Sequence, residues 1–170
     1  MSLDAATRNI LAKRSQSAPN QNWSGSWLTI LTKLFSFSQP YAVFPHKRIG
    51  AHGDLIMEVV KDAPSESPTG RPSRIVLVVE IKDPQDWDSG KDKLLQQLEH
   101  QTDLAFESTD LGAAKDKVFW IATIGSHWLY GEKMYGQSLK PLIEWHHTAF
   151  DNASFLDLEK VAELVGSLDE

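Results

Sequence analysis

Residues 75–82, IVLVVEIK, form a nearly continuous apolar run that ends in the charged residues Glu80 and Lys82. Such a run is typical of a central strand that is covered on both faces of its sheet. Because side chains alternate across a strand, Glu80 and Lys82 are expected to project from the same face. A carboxylate in so apolar a strand is costly to bury unless it is paired, hydrogen-bonded or bound to a metal. The stretch therefore predicts a central strand with a candidate site at its carboxyl end.

The patterns around this strand alternate between helical and extended periods. Helices are predicted over residues 4–15, from residue 23 or 24 to before Pro40, over 91–106 and over 155–165. Further strands are predicted over 41–46, 54–60, 118–124, through Trp128 and Tyr130, and at an edge over 141–147. Polar turn segments are predicted over 61–73 and 83–90. This order predicts an α/β fold with a central mixed β-sheet flanked by helices on both faces.

Length and composition limit the class of protein. The 170 residues predict one domain over 1–170, with an N-terminal helical segment (1–38), a core over about 40–130 and a C-terminal strand and helix (141–168). The chain has no cysteine, which excludes a disulfide scaffold, a thiol nucleophile and a zinc ribbon. The first residues lack an apolar stretch of signal-peptide length, and no stretch approaches a membrane span. An intracellular protein, cytoplasmic or nuclear, is expected.

Charge is unevenly distributed along the chain. The net charge of -6 argues at first against a polyanionic partner. Before Asp54, however, six Lys/Arg face one acidic residue, whereas the remaining 11 Lys/Arg face 22 Asp/Glu. Such asymmetry predicts a nucleic-acid-facing segment that includes Lys33, Lys47 and Arg48, and a solvated basic face is the alternative interpretation.

Asp54 is a candidate partner for Glu80. If strands 54–60 and 74–81 form an antiparallel hairpin that pairs Val60 with Arg74, the same register pairs Asp54 with Glu80, with Cβ atoms ~5 Å apart. Two carboxylates at this spacing could hold one Mg²⁺ or Mn²⁺, which would lower the pKa of a bound water and neutralise charge on a phosphodiester. Lys82 would then hold or help deprotonate the attacking water, or stabilise the transition state. An ordinary ion-pair network of Asp54, Glu80 and Lys82 is the alternative.

The combination of these motifs resembles a known family. Gly53-Asp54 at a strand start, a polar excursion, and an apolar strand that ends in Glu80-Ile81-Lys82 are similar to the PD-(D/E)XK, restriction-endonuclease-like nucleases. Many members carry a glutamine on the next helix, where this sequence has Gln96 and Gln97. The stretch 118–130 is also similar to such domains in fungal hypothetical proteins. The element order from about residue 23 to residue 130 fits the common core of that superfamily.

The resemblance implies a fold and a set of roles. It implies a single-domain restriction-endonuclease-like fold in which Asp54, Glu80 and the main-chain carbonyl of Ile81 bind Mg²⁺ or Mn²⁺. Lys82 would be the catalytic lysine, and Gln97, with Gln96 as the second choice, an accessory residue. We therefore expect a metal-dependent endonuclease or exonuclease that hydrolyses DNA, or RNA, with little base specificity and no membrane partner. A homodimer is compatible with the sequence.

Two departures from the family pattern support an alternative function. Members often have a glutamate on the first core helix, whereas residues 23–37 contain no acid. The motif is also followed by Asp83, Asp86 and Asp88, which would repel a phosphate backbone unless they lie away from it or bind metal. A catalytically inactive nuclease-fold domain that binds nucleic acid or protein is therefore the alternative. A third reading is a protein-interaction domain that uses exposed members of the six tryptophans.

The histidines are weaker candidates. His46 and His52 are expected at the surface, where they could contact a phosphate. His146 and His147 are adjacent in the predicted edge strand, so their side chains are expected on opposite faces and not in one metal site.

Overall fold

The computed structural model describes residues 3–16, 23–35, 41–47, 55–61, 74–82, 87–107, 117–147 and 150–169. The helices in these ranges are α1 (Ala5–Gln16), α2 (Trp23–Leu34), α3 (Trp87–Glu107) and α4 (Asn152–Gly166), followed by a 3₁₀ turn, Ser167–Asp169. The strands are β1 (Tyr41–Lys47), β2 (Leu55–Lys61), β3 (Arg74–Lys82), β4 (Lys117–Ile124), β5 (His127–Met134) and β6 (Lys140–Pro141). None of the described helices is long and apolar enough to cross a membrane.

The six strands form one mixed sheet in the order β1-β2-β3-β4-β5-β6. Every neighbouring pair is antiparallel except β3 and β4, which run parallel. A parallel pair needs a crossover connection, and α3 lies in that connection. Strand β3 has two neighbours and is buried along all but its end residues, as its apolar sequence predicts. The predicted α/β class with a central mixed sheet is confirmed.

Helices cover both faces of the sheet, as expected. The apolar residues of α2 and α4, including Trp27 and Leu158, are buried with Val79 and Ile81 of β3 on one face. On the other face, Leu94 and Leu98 of α3 are buried with Val78, Trp120 and Ala122. The alternation of β3 divides its residues between the two cores, so that Glu80 and Lys82 fall on the face under α3.

Two residues of β5, Gly131 and Lys133, make close contacts with neighbouring elements. A β-carbon at Gly131 would lie 2.2 Å from the carbonyl oxygen of Lys140 and 2.3 Å from an atom of the Trp120 ring. Glycine therefore allows the close approach of β6 and the indole. The ammonium group of Lys133 is fully buried and lies 2.7 Å from both Glu99 Oε1 and Asp103 Oδ1, which ties β5 to α3.

Two predicted elements differ most from the structure in their bounds. Helix α3 begins at Trp87, so residues 87–90 are helical rather than part of a turn. Gly90 does not interrupt the helix, and Asp88 lies in the first turn, where a negative charge is favourable. The predicted strand 141–147 is reduced to the two residues of β6 and an isolated bridge between His146 and Trp128.

The bridge at His146 has a local cause. The His146 ring stacks on Trp128 at 4.9 Å, and its Nε2 lies 2.6 Å from Asp157 Oδ2 on α4. These side-chain contacts hold the segment around His146 against β5 and α4, although no continuous strand forms there. Of the predicted loop 61–73, Lys61 is the last residue of β2, and 62–73 lie outside the described residues.

Candidate active site

Glu80 and Lys82 lie at the carboxyl end of β3 on the face covered by α3. Glu80 is fully buried, with Ile56 of β2 and Ala122 of β4 as its neighbours across the sheet. Lys82 is the last residue of the strand, is partly exposed and pairs with Ile124. The prediction that both residues share one face of a buried strand is confirmed.

Helix α3 brings Gln97 to Lys82. The ammonium group of Lys82 donates to Gln97 Oε1 at 3.3 Å. Gln97 lies between the buried residues Leu94 and Leu98 in the helical sequence, so it borders the stripe that packs on the sheet. Gln96 points away from the core and is exposed. Of the two glutamines considered from the sequence, Gln97 is therefore the one that contacts the lysine.

The predicted strand register is wrong. Glu80 pairs with Ile56 rather than with Asp54, and the hairpin closes by pairing Lys61 with Arg74. Arg74 pairs with Lys61 rather than with Val60, which shifts the register by one residue from the predicted one. An irregularity between Val59 and Val60 shifts it by a second residue. Asp54 itself lies outside the described residues. The proposal that it binds metal remains a prediction, without the cross-strand pairing that first suggested it.

The predicted nucleic-acid-binding residues do not form one group in the described part of the chain. Strand pairing places the backbone of Lys47 level with Leu55 and Ile81, at the end of the sheet where β3 ends with Lys82. Two strand spacings separate Lys47 from Ile81, or roughly 10 Å. Lys33 lies on α2, which covers the opposite face of the sheet, with its Nζ 4.0 Å from Asp4 Oδ2. Arg48 lies outside the described residues.

Strands β1 and β2 add a polar pair that the sequence did not single out as a unit. His46 Nε2 lies 3.1 Å from Glu58 Oε2. Register aligns His46, Ile56 and Glu80 in one row, and directly opposed residues share a face, so the pair lies on the same face as Glu80. The sequence contains a signal for Glu58, because this residue interrupts the apolar strand LIMEVV as Glu80 interrupts IVLVVEI.

A cluster of rings lies at the same edge of the sheet, and we call Trp87, His127, Trp145 and His147 the aromatic–histidine cluster. His127 stacks on Trp87 at 4.0 Å, and Trp145 meets Trp87 edge-on at 4.9 Å. The two Nδ1 atoms of His127 and His147 are 2.9 Å apart. Burial of its imidazole, and next the charge of His147, hold the pKa of His127 below the usual value of 6.5.

The described part of the candidate site offers oxygen ligands of the type that a hard divalent cation prefers, but few of them. Glu80 offers carboxylate oxygens in a position where an uncompensated negative charge is costly. The part of the chain that the structure describes contains no group of three or more His, Cys, Asp or Glu placed to hold a metal ion. Asp54, the second predicted carboxylate, lies outside that part.

No protein-family model matches the sequence, no curated protein matches it, and no solved structure matches it. The chemistry of the residues at the carboxyl end of β3 is therefore the basis for a functional assignment.

Proposed function

We propose that this protein is a metal-dependent nuclease of the restriction-endonuclease-like type, which hydrolyses phosphodiester bonds of DNA with Mg²⁺ or Mn²⁺. The observation that carries the proposal is the contact of Lys82 Nζ with Gln97 Oε1 at 3.3 Å, beside the buried Glu80 on the same sheet face. A carboxylate can bind a metal ion, and an ammonium group oriented by an amide can hold a water and stabilise negative charge that develops on a phosphodiester. RNA is the second substrate to compare.

The residues have separate roles in this proposal. Glu80, Asp54 and the carbonyl of Ile81 would hold the cation, which supplies charge neutralisation at the phosphate when it is bound. Gln97 accepts a hydrogen bond from Lys82 and so limits the orientations of its flexible side chain. Lys82 holds the attacking water by hydrogen bonding and places a positive charge beside the reacting phosphate. Oriented groups of this kind contribute because they need no reorganisation during the reaction.

The proposed DNA contact lies at the edge of the sheet rather than over the whole N-terminal third. The position of Lys47, level with Ile81, supports a contact between Lys47 and the phosphate backbone of DNA beside the site. Arg48 follows it in sequence and is proposed to act with it. Lys33, on the helix across the sheet, could contact a duplex only if the DNA wraps around the domain. Such contacts would bind phosphate without reading base sequence.

The direct test is nicking of supercoiled plasmid with Mg²⁺ or Mn²⁺ by the wild type and by Glu80→Gln, Lys82→Met and Gln97→Ala. We expect Lys82→Met to lower the rate by about 10²-fold or more, as loss of an acid–base or electrostatic group does. Gln97→Ala should lower it less, because the lysine remains. Lys93→Met, an exposed lysine of the same helix, is the matched control and should retain the wild-type rate. Equal rates in all the proteins would refute the assignment.

Burial of Glu80 favours a second candidate, a nuclease-fold domain that binds nucleic acid or protein without cleaving it. The Glu80 side chain has no solvent exposure, whereas a ligand of an exchangeable cation needs a path to solvent. Titration calorimetry with Mn²⁺ separates the candidates, since a nuclease site should bind the ion and a Glu80→Gln variant should not. A wild type that binds DNA in a gel-shift assay but neither cleaves it nor binds Mn²⁺ would establish the second candidate.

A further inference from the structure

The two histidines of the aromatic–histidine cluster meet head-on. Their Nδ1 atoms are 2.9 Å apart and their ring centroids 5.1 Å apart. The second distance exceeds the first by about one ring diameter, so both nitrogens lie close to the line that joins the ring centres. A shared metal ion would need both lone pairs to converge on a third point. The geometry therefore matches a hydrogen bond, in which one Nδ1 carries a proton and the other accepts it.

This contact depends on protonation. With both imidazoles neutral, or with one charged, one Nδ1 can donate to the other, and the charged form makes the stronger hydrogen bond. When both rings are protonated, both Nδ1 atoms carry hydrogen and neither can accept. Two positive charges would then also face each other at hydrogen-bond distance. The second proton must break the contact.

The pair adjoins the proposed active site through the sheet. Lys82 pairs with Ile124, and Ile124 pairs with His127, so the three residues form one row on the face under α3. The backbone N–H of Gly125 also donates to the carbonyl of Lys82 at 3.1 Å, which ties the β4–β5 turn to the end of β3. His127 therefore lies two strands from Lys82, roughly 10 Å away.

Trp87 connects the pair to Gln97. Trp87 is the first residue of α3, and its indole stacks on His127 at 4.0 Å. The first turn of α3 also lies over the end of β4, since a β-carbon at Gly90 would be 3.6 Å from Ile124 Cδ1. The stack therefore lies at the amino end of the same helix that carries Gln97, whose Oε1 accepts from Lys82.

We propose that His127 and His147 are a positioning pair, which holds the amino end of α3 on the sheet while it carries at most one proton and releases it when both rings are protonated. The consequence for catalysis rests on the proposed nuclease function. The positioning itself does not. Acidification would loosen the Trp87 stack, and with it the contact between Gln97 and Lys82.

Few charged groups among the described residues face the pair. On α3, Asp88 is exposed, and Lys91 has its Nζ 5.7 Å from the centroid of the Trp87 ring. On the segment that carries Trp145 and His147, Glu144 is exposed. His146 is engaged with Asp157 at 2.6 Å rather than with the pair. Burial, and next the charge of His147, lower the pKa of His127, so a proton on His147 opposes a proton on His127.

The test is a histidine-resolved NMR titration of the wild type, His147→Gln and a control, His100→Gln, which changes an exposed histidine of α3. Removing His147 takes away its charge, so the pKa of His127 should rise in His147→Gln and stay unchanged in His100→Gln. In the wild type, the Trp87 indole N–H and the Gln97 side-chain amide should shift together as the second proton binds. An unchanged pKa of His127 in His147→Gln, or an unmoved Gln97 amide, would overturn the proposal.

The activity measurement separates this inference from the proposed function. If plasmid nicking depends on Lys82, its rate should fall in acid as the second proton binds to the pair. His147→Gln should remove that fall, because only one ring is left to be protonated and the glutamine amide oxygen can still accept a hydrogen bond from it. His100→Gln should leave the fall in place. A protein that shows the NMR coupling but no nicking would refute the nuclease function and leave the positioning pair intact. A protein that nicks plasmid but shows no NMR coupling would refute the positioning pair and leave the nuclease function intact.

Discussion

The replacement Lys133→Met tests whether a buried ion pair stabilises this fold. Methionine keeps a long unbranched side chain in the buried site and removes the charge. The ammonium group has no solvent exposure and donates to Glu99 Oε1 at 2.7 Å, to Asp103 Oδ1 at 2.7 Å and to the Glu99 carbonyl at 3.2 Å. Three donated bonds are therefore lost in one substitution.

The size of the effect follows from the exposure of the partners. Hydrogen bonds to charged groups contribute about 1.5–3 kcal/mol each to stability. Two terms reduce that sum, because the buried ammonium no longer has to be desolvated and because Glu99 and Asp103 can return to water. The Glu99 side chain is 36% exposed and that of Asp103 53%, and Glu99 Oε2 keeps its bond from the Leu139 backbone N–H. We expect a net loss of about 2 kcal/mol.

Thermal and urea unfolding measure this loss. For a chain of this length, about 2 kcal/mol corresponds to a fall in Tm of roughly 4–8 °C. The matched control is Lys140→Met, because the Lys140 side chain is 70% exposed and its ammonium group lies 3.7 Å from Glu132 Oε1. Such surface pairs contribute little, so its Tm should stay within about 2 °C of wild type. A Lys133→Met protein as stable as the wild type would show that desolvation cancels the pair and would refute this reasoning.

Three further substitutions have defined expectations. Gly131→Ala places a β-carbon 2.3 Å from the Trp120 ring, so unfolding experiments should show a loss of about 3 kcal/mol or more. Asp151→Ala removes the side-chain cap of α4 and should cost about 1 kcal/mol in urea unfolding. Hydrogen bonds from Thr7 hold the pKa of Asp4 below its ordinary value of 3.8, so its stabilising effect is present above that pH and is lost as pH falls through the lowered pKa. Asp4→Asn should therefore lower Tm at pH 7 and leave it nearly unchanged in strong acid, whereas equal losses at both would contradict the assignment.

Much of the fold could be predicted because its signals are local. The apolar run of β3 and the stripe of α2 each specify an element and its buried side within a few residues. Strand alternation likewise predicted that Glu80 and Lys82 share a face, and the structure confirms it. The helix start at Trp87 was missed, because proline and glycine in 83–90 indicate a turn and the packing of α3 overrides that local preference.

Register could not be predicted from the same pattern. A strand shifted by two residues keeps every side chain on its original face, so hydrophobic alternation is equally satisfied by pairing Glu80 with residue 54 or with Ile56. Hairpin closure and the irregularity after Val59 decide between the two pairings. At the candidate site the structure shows the contact between Lys82 and Gln97, whereas Asp54, the second proposed carboxylate, lies outside the described residues.

Apart from the start of α3 and the segment 141–147, the sequence by itself determined which described segments are helices and strands. It also determined which face of β3 carries Glu80 and Lys82, since these properties follow from the period of side chains along one segment. Only the tertiary structure decided which residues meet across segments. His127 and His147 are 20 positions apart, and Trp87 lies 40 before the first of them, yet the three rings are in contact. No local pattern encodes such contacts, because they arise from the pairing of strands and the docking of α3.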